Sequence, residues 1–157
     1  MRVRRVVTGH KPDGKATVII DEDSQDVASF RAGATVWNIW STESLPADND
    51  DDCDGAKRIR GTALKNGSVF RVIEYAPGVA PRNHRTESID YAVVLSGAID
   101  MQLDGGEAVQ LKAGDVLVQR CTIHNWVNRG TVPCVIAFVL FDAKPVTIRG
   151  TQAHAVG

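Results

Sequence analysis

Two runs decide the reading: Gly78-Val-Ala-Pro-Arg-Asn-His84-Arg-Thr86-Glu-Ser88-Ile-Asp90-Tyr-Ala-Val-Val-Leu-Ser-Gly97 and Gly114-Asp115-Val-Leu-Val-Gln-Arg-Cys-Thr-Ile-His124-Asn-Trp126-Val-Asn128. Each contains one of the chain's four histidines. In an extended backbone successive side chains alternate between faces, so His84, Thr86, Ser88 and Asp90 project one way. His124, Trp126 and Asn128 do the same on their own strand. Two such polar faces turned toward each other would line the inside of a barrel.

Short apolar strands surround these runs: Val69–Tyr75 ending at Pro77-Gly78, Tyr91–Leu95, Ile99–Leu103, Ala108–Leu111, Val116–Gln119, Ile123–Val127 and Cys134–Phe141. Their regular spacing and glycine-bearing turns indicate an all-β sandwich or barrel, and no segment of helical period competes. Upstream, Val3–Val7 and Ala16–Ile20 flank the turn Thr8–Gly14. After them come Val27–Phe30 and Thr35–Trp40, in which Trp37 and Trp40, three residues apart, are expected on opposite faces.

At 157 residues and 43% apolar composition the chain forms one domain, able to bury about 70% of its unfolded surface. A net charge of −1 gives no basic nucleic-acid footprint, so small molecules are the expected partners. No run approaches the ~18 apolar residues of a membrane span. The basic opening lacks the apolar stretch of a signal peptide. Cys53, Cys121 and Cys134 are odd in number and unpaired in spacing, which fits reduced thiols and a cytoplasmic location.

Both runs resemble the two sequence motifs of the cupin superfamily. Gly78, His84, Asp90 at the glutamate position and Gly97 follow the first; Gly114-Asp115, His124 and Asn128 follow the second. The resemblance implies a double-stranded β-helix, or jelly-roll barrel, with N-terminal strand extensions. It divides the chain into residues 1–67 packing on the barrel, a barrel core of 68–149 and a C-terminal tail of 150–157 expected to be disordered. It also implies a homodimer. The chain departs from the motifs at Thr86, where a second histidine belongs, at the shorter Asp90, and at Arg120-Cys121-Thr122, which replaces Pro-x-Gly.

On that resemblance His84, Asp90 and His124 are the expected catalytic residues, with Thr86, Trp126 and Asn128 contacting ligand. The same His84, Asp90 and His124 would ligate a divalent metal (Fe, Zn, Mn or Ni), the two imidazoles and one carboxylate of a facial site. The competing reading is a barrel that has lost its metal and uses these groups as acid and base. No organic cofactor is expected. The implied function is an enzyme of lyase, isomerase, decarboxylase or oxygenase type on a small organic acid or aromatic, polyketide-like carbonyl compound. The alternative is a metal-free sensor or carrier of a small ligand. Arg71, Glu74, Gln119 and Arg120 lie on strands that could line the barrel, but a structural or surface role is expected of each. His10 and His154 are expected at the surface.

Asp50, Asp52, Asp54 and Gly55 copy the opening of a calcium loop, but its twelfth position is Gly61 instead of glutamate. A solvated loop is the expected state, its charge balanced by Lys57, Arg58 and Arg60.

Overall fold

The computed structural model describes residues 1–58 and 61–157. The strands are β1 (Arg4–His10), β2 (Ala16–Asp23), β3 (Val27–Arg31), β4 (Ala34–Thr42), β5 (Ser68–Tyr75), β6 (Ser88–Ser96) and β7 (Ala98–Leu103). They continue with β8 (Ala108–Lys112), β9 (Val116–Arg120), β10 (His124–Val127), β11 (Cys134–Asp142), β12 (Val146–Ile148) and β13 (Thr151–Ala153). A six-stranded sheet in the order β3-β4-β5-β11-β6-β9 faces a three-stranded sheet β10-β7-β8. This is a jelly-roll β-sandwich.

Alternation along the strands builds the core. Val69, Arg71, Ile73 and Tyr75 of β5 share a face, as do Ile136, Phe138 and Leu140 of β11 and Ser88, Asp90, Ala92 and Val94 of β6. Ile99 and Met101 of β7, Leu111 of β8 and Trp126 of β10 close over them. Each buried aliphatic side chain contributes about 1.5–3 kcal/mol. The polar members of this inner face, Arg71, Ser88, Asp90, Gln119 and His124, are as buried as the apolar ones. They are the residues whose burial packing alone does not explain.

Three expectations change. β3 and β4 are strands of the larger sheet, β4 pairing with β5 from Ala34↔Tyr75 to Thr42↔Ser68, so a boundary at residue 67 cuts through that sheet. Trp37 and Trp40 lie on the same face: Trp37 pairs with Val72 and Trp40 with Phe70, because a bulge after Asn38 inserts one residue. And the C-terminal residues are ordered, with β12 and β13 forming a hairpin and Val156 bridging to Arg85 in both directions, at 2.8 and 3.1 Å.

The acidic loop is a clamp. Both Asp54 oxygens accept from Arg5, at 2.6 Å each, and Arg5 also binds Glu22 of β2 at 2.7 Å. Asp51 pairs with Arg58, as expected; Arg60 lies outside the described residues. The 3₁₀ turn Gly55–Arg58 packs on β4, where Ser41 donates to the Gly55 carbonyl at 2.6 Å. Asp54 is thus committed to a protein cation, and its Oδ1 also accepts from the Ala56 amide.

Candidate functional site

The two histidines meet because their backbones pair. The His84 amide donates to the His124 carbonyl at 3.1 Å and the His124 amide to the His84 carbonyl at 3.0 Å. This is the hydrogen-bonded pair of an antiparallel ladder, and it brings the imidazole centroids to 4.2 Å. Each Nδ1 lies against a main-chain oxygen two residues back, Arg82 at 3.2 Å for His84 and Thr122 at 3.0 Å for His124. A carbonyl only accepts, so Nδ1 carries the proton in both rings and Nε2 keeps its lone pair. The oxygen that orients His124 belongs to the turn containing Cys121, whose φ of 53° is a conformation that favours glycine. That turn replaces the motif's Pro-x-Gly.

His84, Thr86, Asp90, His124 and Trp126, five of the six expected residues, line one cavity of about 40 Å³ together with Arg71, Tyr75 and Gln119. Asn128 is placed elsewhere. Its amide nitrogen donates to Tyr75 and Val132 carbonyls, both at 2.9 Å, and its oxygen accepts from the Gly130 amide. It is spent on pinning the β10–β11 turn to β5.

Burial sets the protonation states. Asp90 sits between Gln119 of β9 and Leu140 of β11. Desolvation pushes its carboxyl up to about 6, against the opposing effects of the Ser88 hydroxyl, 2.5 Å away, and the Arg71 charge. Burial, then the neighbouring His84, pulls His124 down to about 4. His84 is lowered too, chiefly by burial. In water aspartate ionises before imidazole loses its proton. Here the order is reversed, so between about pH 4 and 6 a carboxylic acid and a neutral imidazole line the same cavity.

Arg71 is fully buried, and burial lowers its guanidinium to about 10. Its Nη2 donates to Gly61 at 2.8 Å; its Nε has no partner among the described residues, and neither does Gln119 Oε1. Both side chains point into the cavity, where the sequence suggests only structural roles for them. Their inward facing is readable from strand alternation, since Arg71 lies two residues from Val69 and Ile73. Arg120, on the opposite face from Gln119, is exposed, and Glu74 faces the N-terminal amine. Tyr75, stacked on Trp126 at 5.9 Å and driven upward in pKa by burial, is a lining residue that the motif spacing does not mark.

The expected metal set is not assembled. Among the described residues no three His, Cys, Asp or Glu side chains are grouped to hold an ion. The two imidazoles are oriented as ligands would be, and one Asp90 oxygen accepts from Ser88.

The cupin-domain profile matches residues 71–141. The "Cupin-domain-containing oxidoreductase fogC" of Aspergillus ruber is 36% identical over 96% of this chain and 78% of that protein. The chain belongs to the cupin family. A second such relative of this cupin, the "Cupin-domain-containing oxidoreductase virC" of Hypocrea virens, is 36% identical over 94% of the chain and 79% of its own length. Among solved structures, a double-stranded β-helix protein from Klebsiella pneumoniae superimposes with a TM-score of 0.53 at 18% identity, covering 85% of this chain and 93% of that one. That likeness concerns the fold. Among the described residues no helix is long and apolar enough to cross a membrane.

Proposed function

We propose that this cupin is an enzyme that moves a proton on a small carbonyl compound, with an imidazole Nε2 as base and the Asp90 carboxyl as acid. One observation carries the reading: His84, His124, Asp90, Arg71 and Gln119 line one cavity, and Arg71 Nε and Gln119 Oε1 have no partner among the described residues. Buried polar groups without partners are rare in packed cores, and a ligand that bears donor and acceptor atoms would satisfy these. Removal of a carbon-bound proton by His124 Nε2, with Asp90 protonating the carbonyl oxygen, gives a neutral enol. Return of the proton to another atom completes an isomerisation, and loss of a β-leaving group a dehydration. Two relatives described as oxidoreductases support an enzyme acting on a small molecule.

The test is solvent-proton exchange. In D₂O, wild-type protein is expected to exchange the α-protons of at least one compound in a panel of 2-oxo acids, 1,3-dicarbonyls and aryl ketones, read by NMR. The His84→Ala/His124→Ala double variant should be at least 100-fold slower, the lower range of acid–base catalysis. Buffer-level exchange by the wild type across the panel, or an equally fast double variant, removes the reading.

The same enzyme is proposed to work as a homodimer. The outer face of β6 and β9 exposes Tyr91, Val93, Leu95, Val116 and Val118, a contiguous apolar surface of the kind that monomers rarely leave open. Sedimentation equilibrium is expected to give twice the 17.0 kDa chain mass, and Val118→Glu to give the monomer. A wild-type monomer at tens of micromolar would remove the dimer.

A further inference from the structure

Three arginines line one hollow beside the histidine pair. Arg31, Arg71 and Arg82 line a second hollow of about 60 Å³, which shares Thr62, Tyr75, His84 and Trp126 with the first. Among the described residues none of the three makes an ion pair with an aspartate or glutamate. Arg31 donates to the Asn125 side-chain oxygen and the Trp126 carbonyl at 3.4 and 3.5 Å, Arg71 to the Gly61 carbonyl, and Arg82 to a main-chain oxygen of Gly157 at 2.8 Å. Arg31 and Arg71 also lie over aromatic rings, Tyr75 at 5.5 Å and Phe30 at 5.7 Å. Of the three, Arg71 is fully buried, and proteins seldom bury a guanidinium unless its charge is matched.

The route outward carries the same sign. Thr62 and Arg82 also line an open cleft of about 740 Å³, where Lys65, Arg85 and Lys144 add positive charge. Arg85 Nε is buried there without a partner among the described residues. The cleft's two carboxylates are already engaged, Glu87 by His154 and the Ala155 amide and Asp142 by the Asn66 amide. In a chain of net charge −1, six cations and two carboxylates border the cleft and the hollow that adjoins it. Such an excess of positive charge concentrates anions there.

We infer that Arg31, Arg71 and Arg82 form a carboxylate-binding subsite, so that the substrate is a carboxylate whose anionic head sits in the arginine hollow and whose body extends into the cleft. The inference rests on the acid–base reading for the identity of the ligand as substrate, but not for its charge. A carboxylate suits the hollow better than a phosphate does. Phe30, Ala34, Val36, Ile73, Tyr75 and Trp126 make the rest of its wall apolar, which penalises a strongly hydrated dianion, whereas guanidinium pairs a carboxylate through two parallel bonds.

The test uses benzoate as probe, benzamide as its neutral isostere and inorganic phosphate as the other anion, by titration calorimetry at low ionic strength. Benzoate is expected to saturate the protein, benzamide to bind at least 10-fold more weakly, and phosphate not to displace benzoate at equal concentration. Arg71→Met and Arg82→Gln should each weaken benzoate at least 10-fold. Without ligand, Arg71→Met should melt no lower than wild type, since a guanidinium kept for a ligand costs stability that a structural one would supply. Equal binding of benzoate and benzamide, no saturation by benzoate, displacement by phosphate, or unchanged affinity in both arginine variants overturns the inference. The His124→Ala variant separates the two readings, since His124 lines the first cavity and not the arginine hollow. It should lose proton exchange and keep benzoate; arginine-dependent benzoate binding in a wild type that exchanges no proton leaves the subsite standing and removes the acid–base role.

Discussion

Replacing His124 by Gln is expected to lower kcat/KM by about 10²–10⁴, the usual worth of a positioned acid or base, on whichever compound the wild type exchanges. The pH profile carries the sharper expectation. Catalysis needs Nε2 unprotonated, which holds above about 4, and the Asp90 carboxyl protonated, which holds below about 6. The wild-type kcat/KM should therefore be bell-shaped, with limbs near those two values and a mildly acidic optimum. The limbs belong to the coupled set of groups, His84 included, since the two rings are 4.2 Å apart. Asp90→Asn keeps a group of the same shape that can still accept from Ser88 but cannot deliver a proton. Its residual activity should lose the alkaline limb and keep the acid one. A profile that rises through pH 7, or one unaltered by Asp90→Asn, would show that Asp90 is not the acid.

How much of this is legible in the sequence follows from the physics of strands. Alternation is strictly local, so the polar run from His84 to Asp90 and the alternation of His124 with Trp126 are enough to announce an inward polar face. Glycine-bearing turns announce the sandwich. Asn128 shows where alternation stops. It lies one residue past β10, and beyond a strand's end the spacing no longer says which way a side chain points. Trp37 and Trp40 fail for a related reason, since a bulge costs one residue of register and reverses every later facing. The polar composition of the tail suggests disorder, yet hydrogen bonds to Arg85 and Glu87 hold it, and these come from residues about 70 positions away. Spacing does not decide the metal set. It brings the three residues into one cavity, but the turn of Asp90 toward Ser88 is a rotamer choice that spacing does not carry. Arg71 is visible on its strand but easily undervalued, because a single arginine there gains meaning only when two others converge on it from distant segments.

Asp90→Asn is expected to stabilise the protein by up to about 3 kcal/mol at pH 7 and to leave it unchanged near pH 4. The folded carboxyl titrates at about 6, whereas the unfolded one titrates at about 3.9. Below pH 4 it is protonated in both states and contributes nothing. Between 4 and 6 the unfolded chain ionises first, so the penalty on folding grows by about 1.4 kcal/mol per pH unit and is complete above 6. His124 acts in the opposite sense. Its folded value of about 4 lies below the unfolded value of about 6.5, so its neutral burial costs nothing above 6.5. As pH falls toward 4, it removes about 3 kcal/mol of stability. In the wild type the two slopes oppose each other between pH 4 and 6, and His84, lowered as well, adds to the histidine side. Asp90→Asn removes one of them. Its melting temperature should exceed the wild type's by about 5–10 °C at pH 7, given about 2–4 °C per kcal/mol for a chain of this size, and converge on it by pH 4. An equal or lower melting temperature at pH 7 would mean that Ser88 and Arg71 already hold Asp90 as a stable carboxylate, and the acid it is asked to be would not exist at working pH. A gain would instead mark Asp90 as a group kept at the expense of the fold, which is what a catalytic acid in an apolar cavity requires.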